Sequence, residues 1–363
     1  MPAGWKKRGL PASNRYRCYN STLRSIILAG GLGSRLSPLT KYIPKTLVPV
    51  LGWPVLFRIL DLLHSAGISQ VGISVGVHRE LVIAAVEARY RAPEGLSVQI
   101  LTEDVPLGTG GALRQHADFF DGSPVLVVTG DQLTGTSIRD FIGAYENHPS
   151  KIAIATTTRR ANAWTGDTIE DDGAGVDRYR YEPKSEVDLA VTCSTGNWIV
   201  SAEYARELPE GNVNLSRDVL PGTSVEPNGL TLFDSGTVPI LDFGTAQRLF
   251  EHNLGLAAGT YPSISDLLSQ TWSEPDEAWR AKGPMCIAAG VDLSTADLYG
   301  PLVVGSRCDV GADCVLSESV LFPGAVVPSR SIVMRSLVCN FDEYRKWLIA
   351  DGGLKDTVAM RRS

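Results

Sequence analysis

The sequence predicts an α/β protein in which a doubly wound mixed sheet is followed by a short parallel β-helix. Three observations carry this. An apolar strand, Arg24-Ser-Ile-Ile-Leu-Ala-Gly-Gly, opens the regular part of the chain. Strand and helix patterns then alternate to about residue 250. From Leu302 onward apolar residues recur every six positions.

The alternation is legible element by element. Val55, Ile59, Leu62, Leu63 and Ala66 are spaced as one face of a helix that Gly67 closes, and Val71 to Val77 follows as a buried strand. A helix near Leu81 to Arg89, a strand over Val98 to Leu101, a helix over Gly111 to Phe119 and the strand Pro124 to Thr129 continue the series. After a linking helix comes the strand Lys151 to Thr158. Strands joined through helices imply parallel pairing. Residues 255–290, with Pro262, Pro275 and Pro284 and a predicted helix around Ile264 to Trp272, read as a connector.

In the C-terminal part the repeat runs Val304, Val310, Leu316, Phe322 and, after a five-residue step, Val327, Val333, Cys339. A six-residue period marks a parallel β-helix, each short strand forming one wall of a triangular coil. Two to three coils are predicted, with Phe341 to Leu348 as a capping helix. The expected division is a flexible basic extension over 1–23, a main domain over 24–254, a connector over 255–290, and the β-helix with its terminal helix over 291–363.

Composition sets the outer bounds. The 363 residues are 44% hydrophobic and 20% charged, which excludes disorder, coiled coil and collagen. The longest apolar runs are strand-length, so no membrane span is expected, and no secretory signal pattern precedes Arg24. The net charge is −6, yet Lys6, Lys7, Arg8, Arg15, Arg17 and Arg24 face no acid in the first 24 residues, leaving −12 for the remainder. A globular part so acidic repels nucleic acid, and any phosphate must be held by a local site. The six cysteines form no C-x-x-C pair, which fits a reducing cytoplasm.

That local site is sought in Leu28-Ala-Gly-Gly-Leu-Gly-Ser-Arg-Leu-Ser-Pro-Leu-Thr-Lys-Tyr-Ile-Pro-Lys45. Gly30, Gly31 and Gly33 allow a tight turn after a strand and bring backbone N–H groups against phosphate oxygens, while Arg35 and Lys45 supply cations. The segment lacks the Gly-Lys-Ser/Thr of a Walker A loop, and Arg35 stands where the dinucleotide fingerprint needs its third glycine. Asp131, in Val-Val-Thr-Gly-Asp, sits at the carboxyl end of a buried strand, where open α/β sheets place ligand-binding residues and where a helix N-cap would also stand.

The composite G-G-x-G-x-R-L-x-P-L-T-x-x-x-P-K resembles the signature loop of the sugar-1-phosphate nucleotidylyltransferases. The resemblance implies a Rossmann-like, GT-A-like nucleotidyltransferase domain, and a C-terminal β-helix of the left-handed kind found in GDP-mannose members. It implies that Arg35 and Lys45 are catalytic, with Lys45 on the sugar phosphate. It further implies that Leu28, Gly30, Gly31, Gly33, Arg35, Glu103, Pro106, Gly108 and Thr109 bind a nucleoside triphosphate.

Pro106-Leu-Gly-Thr-Gly110 is similar to the family's base-binding turn. Glu103 offers a carboxylate that suits the paired N1–H and N2 donors of guanine, against the alternative of a solvated loop acid. Asp131 and Asp242 match the family's Mg²⁺ ligands. Gly166, Glu182, Lys184, Ser194 and Gly196 fall on its sugar-phosphate elements. Here the chain reads E-P-K where the family has E-K-P, so Lys184 is displaced by one position and a plain surface lysine is its alternative. The implied activity is NTP, with GTP favoured by Glu103, plus a sugar 1-phosphate giving NDP-sugar and pyrophosphate. ATP, UTP or dTTP as donor and a cyclitol phosphate such as valienol 1-phosphate as acceptor stay open, as does a regulatory subunit that only binds nucleotide sugar. An acyltransferase is disfavoured because no histidine lies beyond residue 290. A homo-oligomer, dimer or higher, acting in the cytoplasm without nucleic acid or membrane, is expected.

Overall fold

The structure, a computed structural model, describes residues 23–160, 166–171, 177–181, 190–226, 229–264, 272–273, 280–349 and 358–361. The predicted N-terminal extension lies outside them, except for its last residue, Leu23.

A mixed sheet organises the first part of the chain. Its strands are β1 (Arg24–Leu28), β2 (Gln70–Val75), β3 (Ser97–Thr102) and β4 (Val125–Thr129), with β5 (Gln132–Thr134) continuing past Asp131. Then follow β6 (Ile152–Arg160), β7 (Thr168–Asp171), β8 (Asp177–Arg180), β9 (Ala190–Val200) and β10 (Leu230–Asp234), while β5 and β11 (Ile240–Asp242) pair with each other as a separate two-stranded sheet. The order across the sheet is β8-β7-β9-β4-β1-β2-β3, with β6 pairing both β9 and β10. β1 lies parallel to β2 and β4, whereas β9 runs antiparallel to β4. Successive residues of a strand face opposite sides, so Ile27, Leu126 and Val128 enter one apolar cluster and Ile26, Val125 and Val127 the other.

Helices cover both faces. On the first lie α1 (Val55–Ser65), α2 (Arg79–Arg89), α4 (Ile138–Asn147) and α6 (Ala246–Ala257); on the second lie α3 (Gly108–Gln115) and α5 (Ala202–Glu207). α1 follows the predicted spacing, burying Val55, Ile59 and Leu63, and ends before Gly67, whose φ of +97° suits glycine alone. α3 starts three residues earlier than predicted because its first turn packs against the 211–215 segment, a contact without local sequence signal.

The C-terminal part is a β-helix. Strands Arg280–Lys282, Asp297–Tyr299, Val315–Ser317 and Ile332–Met334 pair in parallel as one wall, and Met285–Ala288, Leu302–Val304, Val320–Leu321 and Leu337–Val338 as a second. The short strands Asp309–Val310 and Val326–Val327 form the third. Val304, Leu316, Phe322 and Val327, four of the six-period positions, are buried. The ladder begins at Arg280, inside the stretch predicted as connector, because the first coil's apolar positions precede the recognisable repeat. The helix predicted around Ile264 to Trp272 lies outside the described residues over 265–271, and Trp272 belongs to a strand paired with Val358. The capping helix, α7 (Phe341–Ile349), is present and packs against α2. No helix among the described residues is long and apolar enough to cross a membrane.

One apolar cluster runs from the first face of the sheet into the β-helix, joining Leu56, Phe57 and Leu256 to Ile287, Leu316 and Trp347. Two buried polar residues at this junction fix the chain after the signature loop. Arg58 donates to the Val50 and Leu51 carbonyls, and its burial lowers its pKa to about 10. Asn253 accepts from Leu51 N at 2.7 Å and donates to the carbonyls of Pro49 (3.3 Å) and Leu249 (2.8 Å). Asn253→Ala would leave Leu51 N–H and the Pro49 carbonyl short of partners in the interior. We expect a loss of about 2–3 kcal/mol, measured as a lower denaturation midpoint at unchanged m-value.

Candidate active site

The site lies where β1 and β4 end, at their carboxyl edge, the place at which open α/β sheets bind ligands. β1 runs into Ala29-Gly30-Gly31, and β4 runs into Gly130-Asp131, with Gly130 N donating to Leu28 O at 3.0 Å. The glycine loop then continues through three short 3₁₀ turns, Ser34–Leu36, Leu39–Lys41 and Lys45–Leu47.

Those turns carry Lys45 back to the sheet edge. Its Nζ lies 2.6 Å from Asp131 Oδ2, with side chains 19% and 16% exposed. Residues 86 apart in sequence are thus joined by an ion pair at the mouth of the site. Gly31 faces the Lys45 side chain so closely that a Cβ there would stand 3.2 Å from Cε. Gly33 holds φ +62° and caps the first turn, while Arg35 is exposed on that turn. A side chain at either glycine would press on Lys45 or Thr40.

Glu103 is buried at 6% exposure and already engaged. Ser74 Oγ donates to its Oε1 at 2.6 Å, and Leu107 N to its Oε2 at 3.2 Å. Each carboxylate oxygen has a second lone pair, so capacity for two further donors remains. Glu103 also lies against Gly30, where a Cβ would come within 2.8 Å of Oε1. His116 is nearby: burial lowers its pKa, partly opposed by the Glu103 charge.

The Pro106 to Gly111 turn serves packing as well. A Cβ on Gly108 would stand 2.5 Å from Val213 O, and one on Gly111 2.1 Å from Gly211 O. Thr109 Oγ1 accepts from Leu215 N at 2.7 Å. Pro106 is exposed beside this turn.

Asp242 meets the site through strand pairing. β11 lies antiparallel to β5 with Asp242 opposite Gln132, and Phe243 N donates to the Asp131 carbonyl at 3.0 Å. Its Oδ1 accepts from Gly244 N at 2.6 Å and its Oδ2 from Arg248, on the first turn of α6. Each of the two aspartates implied as metal ligands therefore carries a basic side chain as counter-ion.

On the sugar side, Gly166 precedes Asp167, whose carbonyl accepts from Ser194 N at 3.0 Å, and Ser194 Oγ accepts from Gly196 N at 3.2 Å. Glu182 and Lys184 lie outside the described residues. Sequence reasoning missed Arg248, Ser74 and Gln132. Gln132 follows Asp131 directly and donates from Nε2 to Thr195 O at 2.6 Å. It occupies the space that a Gly196 Cβ would need, 1.9 Å away, so Gly196 makes room for this amide. Gly196 also holds φ +77°. Gly196→Ala is expected to destabilise the chain by more than the ~1 kcal/mol that left-handed backbone strain alone costs. Gln132→Ala in the same chain should recover the clash component, leaving the strain. Thermal melts of the single and double variants measure both.

Residues 24–185 match the nucleotidyl transferase family. A mannose-1-phosphate guanylyltransferase of Mycobacterium tuberculosis is 24% identical over 86% of this chain and 83% of its own. A UTP–glucose-1-phosphate uridylyltransferase of Synechocystis is 25% identical, covering 87% and 88%, and a glucose-1-phosphate thymidylyltransferase of Streptomyces griseus 26%, covering 85% and 88%. Among solved structures, HddC of Yersinia pseudotuberculosis superposes with TM-score 0.54 at 22% identity, over 64% of this chain and 98% of that one. HddC is also solved with GMP-PN, at TM-score 0.53 and 23% identity over the same shares. The glycine loop, the carboxyl-edge aspartate and these likenesses agree: residues 24–185 form a nucleotidyl transferase domain, and the chain's homologues are sugar-1-phosphate nucleotidyltransferases.

Proposed function

We propose that the protein transfers a guanylyl group from GTP to a sugar 1-phosphate, releasing pyrophosphate, with Mg²⁺ held by Asp131 and Asp242. The observation that carries this is the Lys45–Asp131 pair, which brings a cation and a carboxylate to the edge of the glycine turn. The carboxylate of Glu103 and the guanylyl relatives favour GTP over ATP, UTP or dTTP.

The chemistry asks little of a protein nucleophile. An oxygen of the sugar phosphate, already an anion near neutral pH, attacks the α-phosphorus in line. A new P–O bond forms as the bond to the departing pyrophosphate breaks. Catalysis is then positioning and charge neutralisation. The backbone of Gly30, Gly31 and Gly33 lies against the phosphates. Arg35, exposed on its 3₁₀ turn, offsets charge on the triphosphate. Lys45 exchanges its Asp131 partner for the incoming sugar phosphate and offsets the repulsion between two anions. Gly166, Ser194 and Gly196 line the sugar side, with Glu182 and Lys184 as further candidates for its hydroxyls and phosphate.

The two carboxylates fit Mg²⁺. They are hard oxygen donors, part-exposed, one just before β5 and one on its partner strand β11, and Asp131 Oδ1 takes no hydrogen bond among the described residues. Magnesium bound to nucleotides commonly takes one or two protein carboxylates, the phosphates and water completing its shell. When bound, the ion supplies charge neutralisation at the triphosphate. Under the same proposal the enzyme works as a cytoplasmic homo-oligomer. The free cysteines support a reducing compartment, and the exposed Ile332 and Met334 of the last coil support a protein contact.

A matrix of four nucleoside triphosphates against mannose, glucose and heptose 1-phosphates and valienol 1-phosphate, scored by pyrophosphate release, tests the reading. Release without any 1-phosphate acceptor dependence would refute it. Asp131→Ala should lower turnover by at least about 100-fold with unchanged circular dichroism, and near-normal turnover would remove Asp131 from the mechanism. Glu103→Gln should cut the preference for GTP over UTP roughly tenfold; an unchanged base profile would remove guanine recognition from Glu103.

A further inference from the structure

Lys45 sits among short 3₁₀ turns whose own bonds, such as Leu47 N to Pro44 O at 2.9 Å and Val48 N to Lys45 O at 3.3 Å, are all local, of a kind with poorer geometry than α-helical bonds. Yet its ammonium must stand at a defined place opposite Asp131. A long-range restraint on this segment, beyond these local bonds and the burial of Ile43, Leu47 and Val48, comes from the far end of the chain. Phe341, the first residue of α7, stacks on Tyr42 with centroids 4.3 Å apart and planes at 16°. One turn on, Tyr344 Oη donates to the Leu47 carbonyl at 2.5 Å, across 297 residues of sequence. These contacts fall three residues before Lys45 and two after it.

α7 is well anchored for this. Tyr344 and Trp347 are buried, at 0% and 1% exposure. The Trp347 carbonyl accepts from Arg89 Nε at 2.7 Å, and the Arg89 guanidinium lies 4.0 Å from the Trp347 ring centroid. Trp347 meets Trp53 edge to face at 5.8 Å, and Tyr344 packs on Phe322 of the β-helix at 5.6 Å. Burial raises the Tyr344 pKa well above its ordinary value, so the phenol stays a donor at any working pH.

We propose that α7 is a positioning element of the active site: Tyr344 and Phe341 hold the backbone on both sides of Lys45 and so set where its ammonium meets the sugar phosphate. The proposal rests on the assignment of Lys45 to the sugar phosphate made above. It gives the β-helix part of the chain a role in catalysis through Lys45, without any contact to substrate.

The test is a double-mutant cycle in the full-length chain, with GTP and the sugar 1-phosphate turned over fastest in the screen above. Tyr344→Phe should raise KM for the sugar 1-phosphate about five- to tenfold and leave KM for GTP within about twofold. In a Lys45→Ala background the same substitution should change kcat/KM by less than about twofold, since the group it positions is gone. Tyr42→Ala, at a half-exposed site that tolerates truncation, should behave alike, while Tyr42→Phe, which keeps the stack, should match the parent. An unchanged KM in Tyr344→Phe and Tyr42→Ala, or equal losses in both backgrounds, would overturn the proposal, because a merely structural side chain acts independently of Lys45. Parent-like activity of Lys45→Ala alone would instead sink the assignment of Lys45 itself.

Discussion

The ion pair between Lys45 and Asp131 is the contact around which the site is arranged. It joins the loop leaving β1 to the end of β4. Both side chains are mostly covered, so neither could stand alone without a desolvation cost. The rest of the architecture can be understood as keeping these two groups opposed. Glycines clear the space beside the lysine, the sheet fixes the aspartate, and Arg58 and Asn253 immobilise the backbone that follows the loop.

The second aspartate shows the same economy of charge. Asp242 is reached through pairing of β11 with β5 and is neutralised by Arg248 from the next helix. In an acidic globular part, the two aspartates at the sheet edge are thus each balanced by a neighbouring cation. Glu103 differs, since its charge is met by neutral donors, Ser74 and Leu107 N–H, within a buried turn. A buried carboxylate held by neutral donors remains able to accept more, which is the property a base-reading group needs.

What could be read from the sequence was what local patterning encodes. The six-residue period identified four buried positions of the coil outright, and the glycine loop with its cations was legible because backbone geometry demands particular residues at fixed spacings. Asp131 was legible from the end of its strand. What escaped depends on tertiary contact. Arg248 is six residues from Asp242, but nothing in that spacing marks an ion pair. Gln132 carried no local signal, since its bond to Thr195 and its packing against Gly196 need the 63-residue return of β9 to exist. The first coil, from Arg280, precedes the visible repeat because its two paired strands, Arg280–Lys282 and Met285–Ala288, are too short a stretch to establish a period. The Gly108 to Gly111 cluster read as a nucleotide feature and is equally the seat of the 211–215 segment.

The apolar cluster shared between sheet and β-helix has a thermodynamic consequence. Chains whose parts meet through small polar surfaces unfold piecewise, and their parts can be separated. Here Trp53 meets Trp347 of α7 edge to face, α2 packs on α7 and α6 on the coil strands Leu302–Val304 and Val320–Leu321, with a buried arginine and a buried asparagine at the junction. A core shared in this way is expected to make the two architectures one cooperative unit. Heat or denaturant should melt them in a single transition, and the C-terminal part is thereby as much a component of the chain's thermodynamic stability as the sheet that bears the chemistry.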